Sequence, residues 1–132
     1  MKDTLKIANF IIVNVQQHNL TITSRMLGNL LYIIAGNYYL KYHQLLLNEQ
    51  FYRLGVGYQL DTINNTFDVH QDNLTPTTDN IQLTVNQSNF IAKQLKQISD
   101  YSYNQLAYQC SLLHKKLAES KLKLNNFEKE KA

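Results

Sequence analysis

Between Thr23 and Leu47 the apolar residues Leu27, Leu30, Leu31, Ile34 and Tyr38 fall at i, i+3, i+4, i+7 and i+11. That spacing lays them along one side of an α-helix. Met26, Ile33 and Ala35 widen the stripe, so the helix is expected to be buried on more than one side. A hydroxyl at Thr23 or Ser24 can accept a hydrogen bond from an orphan N–H of the first turn and so cap it. A helix that is apolar over so much of its circumference has to lie at the centre, with other elements packed around it. The expected fold is therefore mainly α, a single compact bundle of about five helices around a central buried helix. A small two- or three-stranded β element is expected beside it.

The other elements follow from the same patterning. Residues 3–18 place Leu5, Ala8, Ile12 and Val15 on one face, with Asp3 near the start and Asn19 breaking the pattern. Phe51 and Tyr52 predict a brief strand before Gly55 and Gly57 turn the chain. Tyr58 to Phe67 returns to helical spacing with Leu60, Ile63 and Phe67, and the polar run from Asp68 to Thr78, with Pro76, reads as a loop. Ile81, Leu83 and Val85 alternate with polar neighbours, which predicts a half-buried strand pairing with Glu49–Arg53. A fourth helix is expected from Asn86 or Ser88, with Ile91, Leu95 and Ile98 inward. After a break at Asp100–Ser102, the last helix carries Leu106, Cys110, Leu113 and Leu117. Residues 3–118 thus form the expected domain. Residues 119–132 mix charges with few apolar anchors and read as a solvated helical or frayed extension.

Composition limits the function classes. At 132 residues the chain has room for one core without staples, and its 44% apolar content is that of a globular domain. The net charge of +3 is mild, and much of it lies in the last stretch, so it gives little support for a nucleic-acid surface. The single cysteine excludes a disulfide scaffold. No apolar run reaches the roughly 20 residues of a spanning helix, and the N-terminus lacks a cleavage-site pattern, so a soluble, cytoplasmic protein is expected. Abundant Asn, Gln, Ile, Lys and Tyr suit the AT-rich codons of a low-GC bacterium or its phage.

No motif carries chemistry. His18, His43, His70 and His114 are scattered without metal-like spacing. Cys110 and His114 are an i, i+4 pair, but the cysteine lies on the apolar stripe and reads as a small core residue. G-V-G-Y at 55–58 lacks the third glycine and the lysine of a phosphate loop and reads as a turn. Asp61, Asp68, Asp72 and Asp79 read as solvated loop charge. The nine tyrosines are more telling. Tyr38, Tyr39 and Tyr42 cannot all face inward, and exposed tyrosines suit protein interfaces. Stacking on single-stranded nucleic acid is the rival use, but it calls for a basic groove that the sequence does not display.

The central stretch N-L-L-Y-I-I-A-G-N-Y-Y-L-K-Y-H-Q-L-L-L resembles the K-L-L-Y-x-x-x-G-x-x-L…G-x-P-L signature of the SocA-like, or Panacea, antitoxin domain. The matching positions are Leu30, Leu31 and Tyr32, then Gly36 and Leu40, then the Leu45–Leu47 run. Ile7-Ala8-Asn9-Phe10 is similar to the family's opening helix, and Leu20-Thr21-Ile22-Thr23 to the approach that follows. Phe51-Tyr52-Arg53-Leu54-Gly55 is similar to its aromatic-x-x-Gly-Pro turn. Tyr101-Ser102, Leu106 and Leu113-His114 are similar to its last helices. Asn29 stands where the family usually has lysine, Val56 where it has proline, and tryptophan is missing. The resemblance implies a mostly helical, prophage-associated domain from toxin–antitoxin loci. Such a domain neutralises a toxin by direct contact or delivers it to a protease.

The expected function is therefore that of a non-enzymatic antitoxin-like protein, without metal or cofactor, that binds and blocks a protein partner. That partner would be a cognate toxin or, in a phage-encoded anti-defence (anti-CRISPR-type) protein, a host nuclease. Contact residues are expected on the polar side of the central helix and the turn after it: Tyr39, Tyr42, His43, Tyr52 and Arg53. A homodimer is compatible with this reading. Nucleic acid is expected only through the partner or for autoregulation. From other classes, a small metal-dependent hydrolase would use His114 with an aspartate, and a DNA-binding autoregulator would need a strongly salt-dependent affinity.

Overall fold

The computed structural model describes residues 3–78 and 81–130. Asp79, one of the loop carboxylates, and the last two residues of the charged extension lie outside these. Among the described residues there are six helices and a three-stranded sheet. Helix α2 (Ser24–Tyr42) runs through the middle, with every residue from Leu27 to Gly36 buried. Thr23 caps it by accepting from the Met26 N–H at 3.2 Å. It ends where His43 takes a left-handed conformation (φ 55°) and donates its N–H to the Tyr39 carbonyl at 2.9 Å.

Helix α1 (Asp3–Gln17) lays Ile7, Ala8, Ile11, Ile12 and Val15 into the core. Asn19 stops it at φ 59°, a conformation that asparagine tolerates better than most residues. α1 also buries a polar group for a purpose. The Asn9 amide donates to Thr77 Oγ1 at 3.1 Å and accepts from the Thr77 N–H at 2.9 Å, so both of its ends are satisfied. Leu74 adds a second tie: its N–H donates to the Ile22 carbonyl and its carbonyl accepts from the Gln16 side chain. The long polar loop is therefore fastened to α1 and to the connection between α1 and α2.

The sheet is mixed. β1 (Phe51–Leu54) and β2 (Gly57–Gln59) form an antiparallel hairpin, with Tyr52 opposite Gln59 and Leu54 opposite Gly57. Gly55 supplies the positive φ (64°) that this tight turn needs. Helix α3 (Asp61–Thr66) follows at once and buries Ile63. Tyr58, expected within that helix, belongs instead to the strand, and the helical spacing proper starts after Leu60.

The predicted strand at Ile81–Val85 does not form. Thr84 caps helix α4 (Val85–Ile98) in a capping box with Gln87, and Val85 is left 73% exposed. Two orphan donors satisfied reciprocally outweigh three alternating apolar residues. The helix thus starts before Asn86, and Ile91, Leu95 and Ile98 face inward as expected. Ser102 and Gln105 build a second capping box at the start of helix α5 (Tyr103–Glu119), which buries Leu106, Cys110, Leu113 and Leu117. α5 lies close against α2. A Cβ on Gly36 would come within 2.5 Å of the Leu113 side chain, so glycine lets the two helices approach.

The charged extension is not a frayed tail. After a bend, helix α6 (Leu124–Phe127) leads into β3 (Glu128–Lys129), which pairs in parallel with β1, Phe51 opposite Glu128. The strand order is β2-β1-β3, so the last strand takes the place expected for Ile81–Val85.

Candidate functional site

The five residues expected at the interface separate into two groups. Tyr39 and Tyr52 are 5% and 3% exposed, and neither ring is available to a partner. Tyr39 stacks on Phe127 and donates its hydroxyl to the Lys123 carbonyl at 3.0 Å. The Tyr52 hydroxyl accepts from the Asn64 amide at 2.5 Å. Tyr42, His43 and Arg53 are exposed. The physical reason is that α2 is wrapped on more sides than its leucine stripe announced. The arriving tail covers Tyr39, and strand pairing aims Tyr52 inward.

The tail also completes a buried polar cluster. Tyr32, fully buried on α2, donates its hydroxyl to Glu128 Oε1 at 2.6 Å. His114 Nδ1 lies 3.0 Å from both oxygens of the same carboxylate, so this nitrogen carries the hydrogen and donates. Above Tyr32 the Tyr58 ring is stacked at 3.7 Å, while Phe51 meets it edge-on at 5.4 Å. Phe127 closes the aromatic box at 5.2 Å. Beside it, Asn29 Oδ1 accepts from the Tyr58 N–H at 2.9 Å, and the Cys110 thiol faces the Asn29 carbonyl at 3.6 Å.

Electrostatics fix what these groups can do. Burial, reinforced by the Glu128 carboxylate, pushes the Tyr32 hydroxyl well above the usual phenol range. Burial does the same to Tyr58. The Cys110 thiol is pushed up to about 12, mainly by burial and secondly by Glu128. All three groups stay protonated at neutral pH, and a protonated buried thiol is a poor nucleophile. Cys110 is thus the small core residue that its place on the stripe predicts. His114 is engaged by Glu128 rather than by an aspartate or by the thiol one turn away. The cluster works as a lock that holds the chain's last strand in place. Its signal in the sequence was slight: one phenylalanine followed by one glutamate in a run of charges. Among the described residues, no group of three His, Cys, Asp or Glu side chains is placed to hold a metal ion, and no helix is long and apolar enough to cross a membrane.

Two outer surfaces remain. On α5, Tyr108 and Leu112 are 63% and 46% exposed, one helical turn apart. At 100° per residue they lie about 170° and 130° around the helix from the centre of the buried Leu106–Cys110–Leu113–Leu117 stripe. A groove beside them runs between Leu112 and Ile33 of α2, with Lys115, Lys116 and Glu119 at its end. The sequence reading passed over this pair; its signal was two large apolar residues at i, i+4 on the wrong face of an amphipathic helix. The second surface lies where α2 ends against α4. There Tyr38, Tyr42 and Phe90 pack ring to ring at 4.6–5.9 Å, and the Lys41 ammonium lies 5.3 Å from the Tyr42 centroid.

No known family, no curated protein and no solved structure matches this chain.

Proposed function

We propose that the chain is a non-enzymatic, antitoxin-like protein that binds a partner protein directly and neutralises it by occlusion. The observation that carries this reading is the Tyr108–Leu112 pair, two large apolar side chains held outward on a well-capped helix beside an open groove. An aromatic ring on a rigid element gives contact area at low entropic cost, which is how interface anchors work. The resemblance to the SocA-like antitoxins supports the same class of function. Cys110 is buried and protonated and His114 is engaged by Glu128, so this i, i+4 pair serves the fold. Of the contacts expected from the sequence, Tyr42, His43 and Arg53 stay accessible.

Affinity capture from a low-GC host with the tagged chain tests this. One stoichiometric protein partner is expected, lost in a Tyr108→Ala/Leu112→Ala variant whose circular dichroism is unchanged. A toxin from a neighbouring gene would define an antitoxin, and a host nuclease an anti-defence inhibitor. Undiminished capture by the double variant would remove the α5 face from the interface. No captured partner would remove the reading itself.

A further inference from the structure

The sequence shows no basic groove, but the fold assembles one. Two open grooves of about 480 and 390 Å³ flank α4, the first shared with α2 and the second with α1, and Lys93 between them lines both. The first also holds Lys41 and the aromatic side chains Tyr42 and Phe90, and the second holds Lys96 and His18. No carboxylate lines either groove, and neither α2 nor α4 contains an Asp or Glu. Among the described residues the ion pair formed is His114–Glu128, neither of which lines these grooves, so Lys41, Lys93 and Lys96 carry their charge without a carboxylate partner. Lys93 and Lys96 are neighbours on the helix, about 5–6 Å apart at Cβ, which suits successive phosphates of an extended strand. Tyr42, 46% exposed at one end of the furrow, offers a ring on which a base can stack.

We propose that the furrow along α4 binds single-stranded nucleic acid, with Lys41, Lys93 and Lys96 on the phosphates and Tyr42 as the stacking platform. This lies on a different face from the Tyr108–Leu112 pair and does not depend on the protein-binding reading. Two features favour a nucleic-acid strand over an acidic protein. Lysine is depleted from protein–protein interface cores, yet serves well as a point charge for phosphate. The amides of Asn86 and Asn89, which line the same groove, supply both donors and acceptors at base-edge scale.

Fluorescence anisotropy with the full chain and labelled mixed-sequence 20-nucleotide DNA and RNA tests the proposal. Three phosphate contacts give a log–log salt slope near −2 on single strands, so affinity should fall about 20-fold between 50 and 200 mM NaCl. Lys93→Gln/Lys96→Gln should bring the slope to about −0.7. Tyr42→Ala should weaken binding about ten-fold with its slope unchanged. All three side chains are exposed, so the variants should keep the wild-type circular dichroism. The proposal is overturned by no binding at 50 mM NaCl, or by binding that these variants leave untouched. Equal affinity for the duplex, or equally effective competition by polyglutamate, would also overturn it. The α5 double variant serves as the control that should bind normally.

Discussion

The Tyr32 hydroxyl and the Glu128 carboxylate meet at 2.6 Å, joining the middle of the central helix to a strand 96 residues later. A charge-assisted bond in a largely buried site is worth more than its surface counterpart, because little water is there to compete for it. Tyr32→Phe keeps the aromatic box and deletes the hydroxyl that bonds Glu128 and also faces Tyr58. It should lower unfolding free energy by about 1.5–3 kcal/mol, read as a lower urea midpoint at unchanged m-value. An unchanged midpoint would show that His114 alone holds the carboxylate.

Phe127 anchors the same strand from inside. It is 3% exposed and touches Tyr32, Tyr39 and Phe51. Phe127→Ala should cost about 3–5 kcal/mol, as for other buried phenylalanines. Amide exchange should then speed up in β1, which would lose its parallel neighbour, more than in the β1–β2 turn.

The raised thiol of Cys110 makes an alkaline prediction. Its pKa goes from an ordinary 9.0 when unfolded to about 12 when folded. The folded state therefore keeps a proton that the unfolded state releases. The stability linked to this group is fully present below pH 9 and is lost as pH rises from 9 towards 12. Tyr32 and Tyr58, shifted in the same direction, extend the loss. Urea midpoints should change little between pH 8 and 9 and fall from pH 9 to 11, less steeply in Cys110→Ala.

The two glycines of α2 should respond differently to alanine. At Gly28 a Cβ would lie 2.5 Å from the Tyr58 backbone carbonyl oxygen, which a paired strand cannot move aside. Gly28→Ala should destabilise by about 1–3 kcal/mol despite its better helix propensity. At Gly36 the obstacle is the flexible end of Leu113. Gly36→Ala should stay within about 1 kcal/mol of wild type, since the gain in propensity offsets the repacking. Thermal denaturation of both variants checks the ranking.

The capping boxes at Thr84 and Ser102 each satisfy two orphan donors. Thr84→Ala and Ser102→Ala should each cost about 1 kcal/mol. Serine at position 84 should restore most of the loss, which calorimetry can resolve.

How much of this was readable depended on how far apart the interacting residues lie. Helices whose apolar residues repeat every turn, such as α1 and α2, were placed to within a residue or two, since the pattern and the cap lie in the same window. Phe51 and Tyr52 were recognised as strand, but their partner was not. Ile81–Val85 has the right alternation, yet Thr84 and Gln87 commit that stretch to a helix start. The neighbour on that edge of β1, Glu128–Lys129, has no alternation to display because it is two residues long. Tyr39 is buried for the same reason, since Phe127, which covers it, comes from distant sequence, whereas Tyr52 is turned inward by its own hairpin and held by Asn64. Tyr42 stayed exposed because it lies past the last covered turn of α2.

The parallel pairing of β1 with β3 has a consequence for synthesis on the ribosome. The β1–β2 hairpin can close as soon as it emerges, but the other side of β1 has no neighbour until more than half the chain has followed. Throughout that interval the nascent chain presents an open strand edge and an unfilled aromatic pocket around Tyr32, the kind of surface that recruits wrong partners. Translation speed through α4 and α5, and any chaperone that shields β1 meanwhile, therefore bear directly on the yield of folded protein.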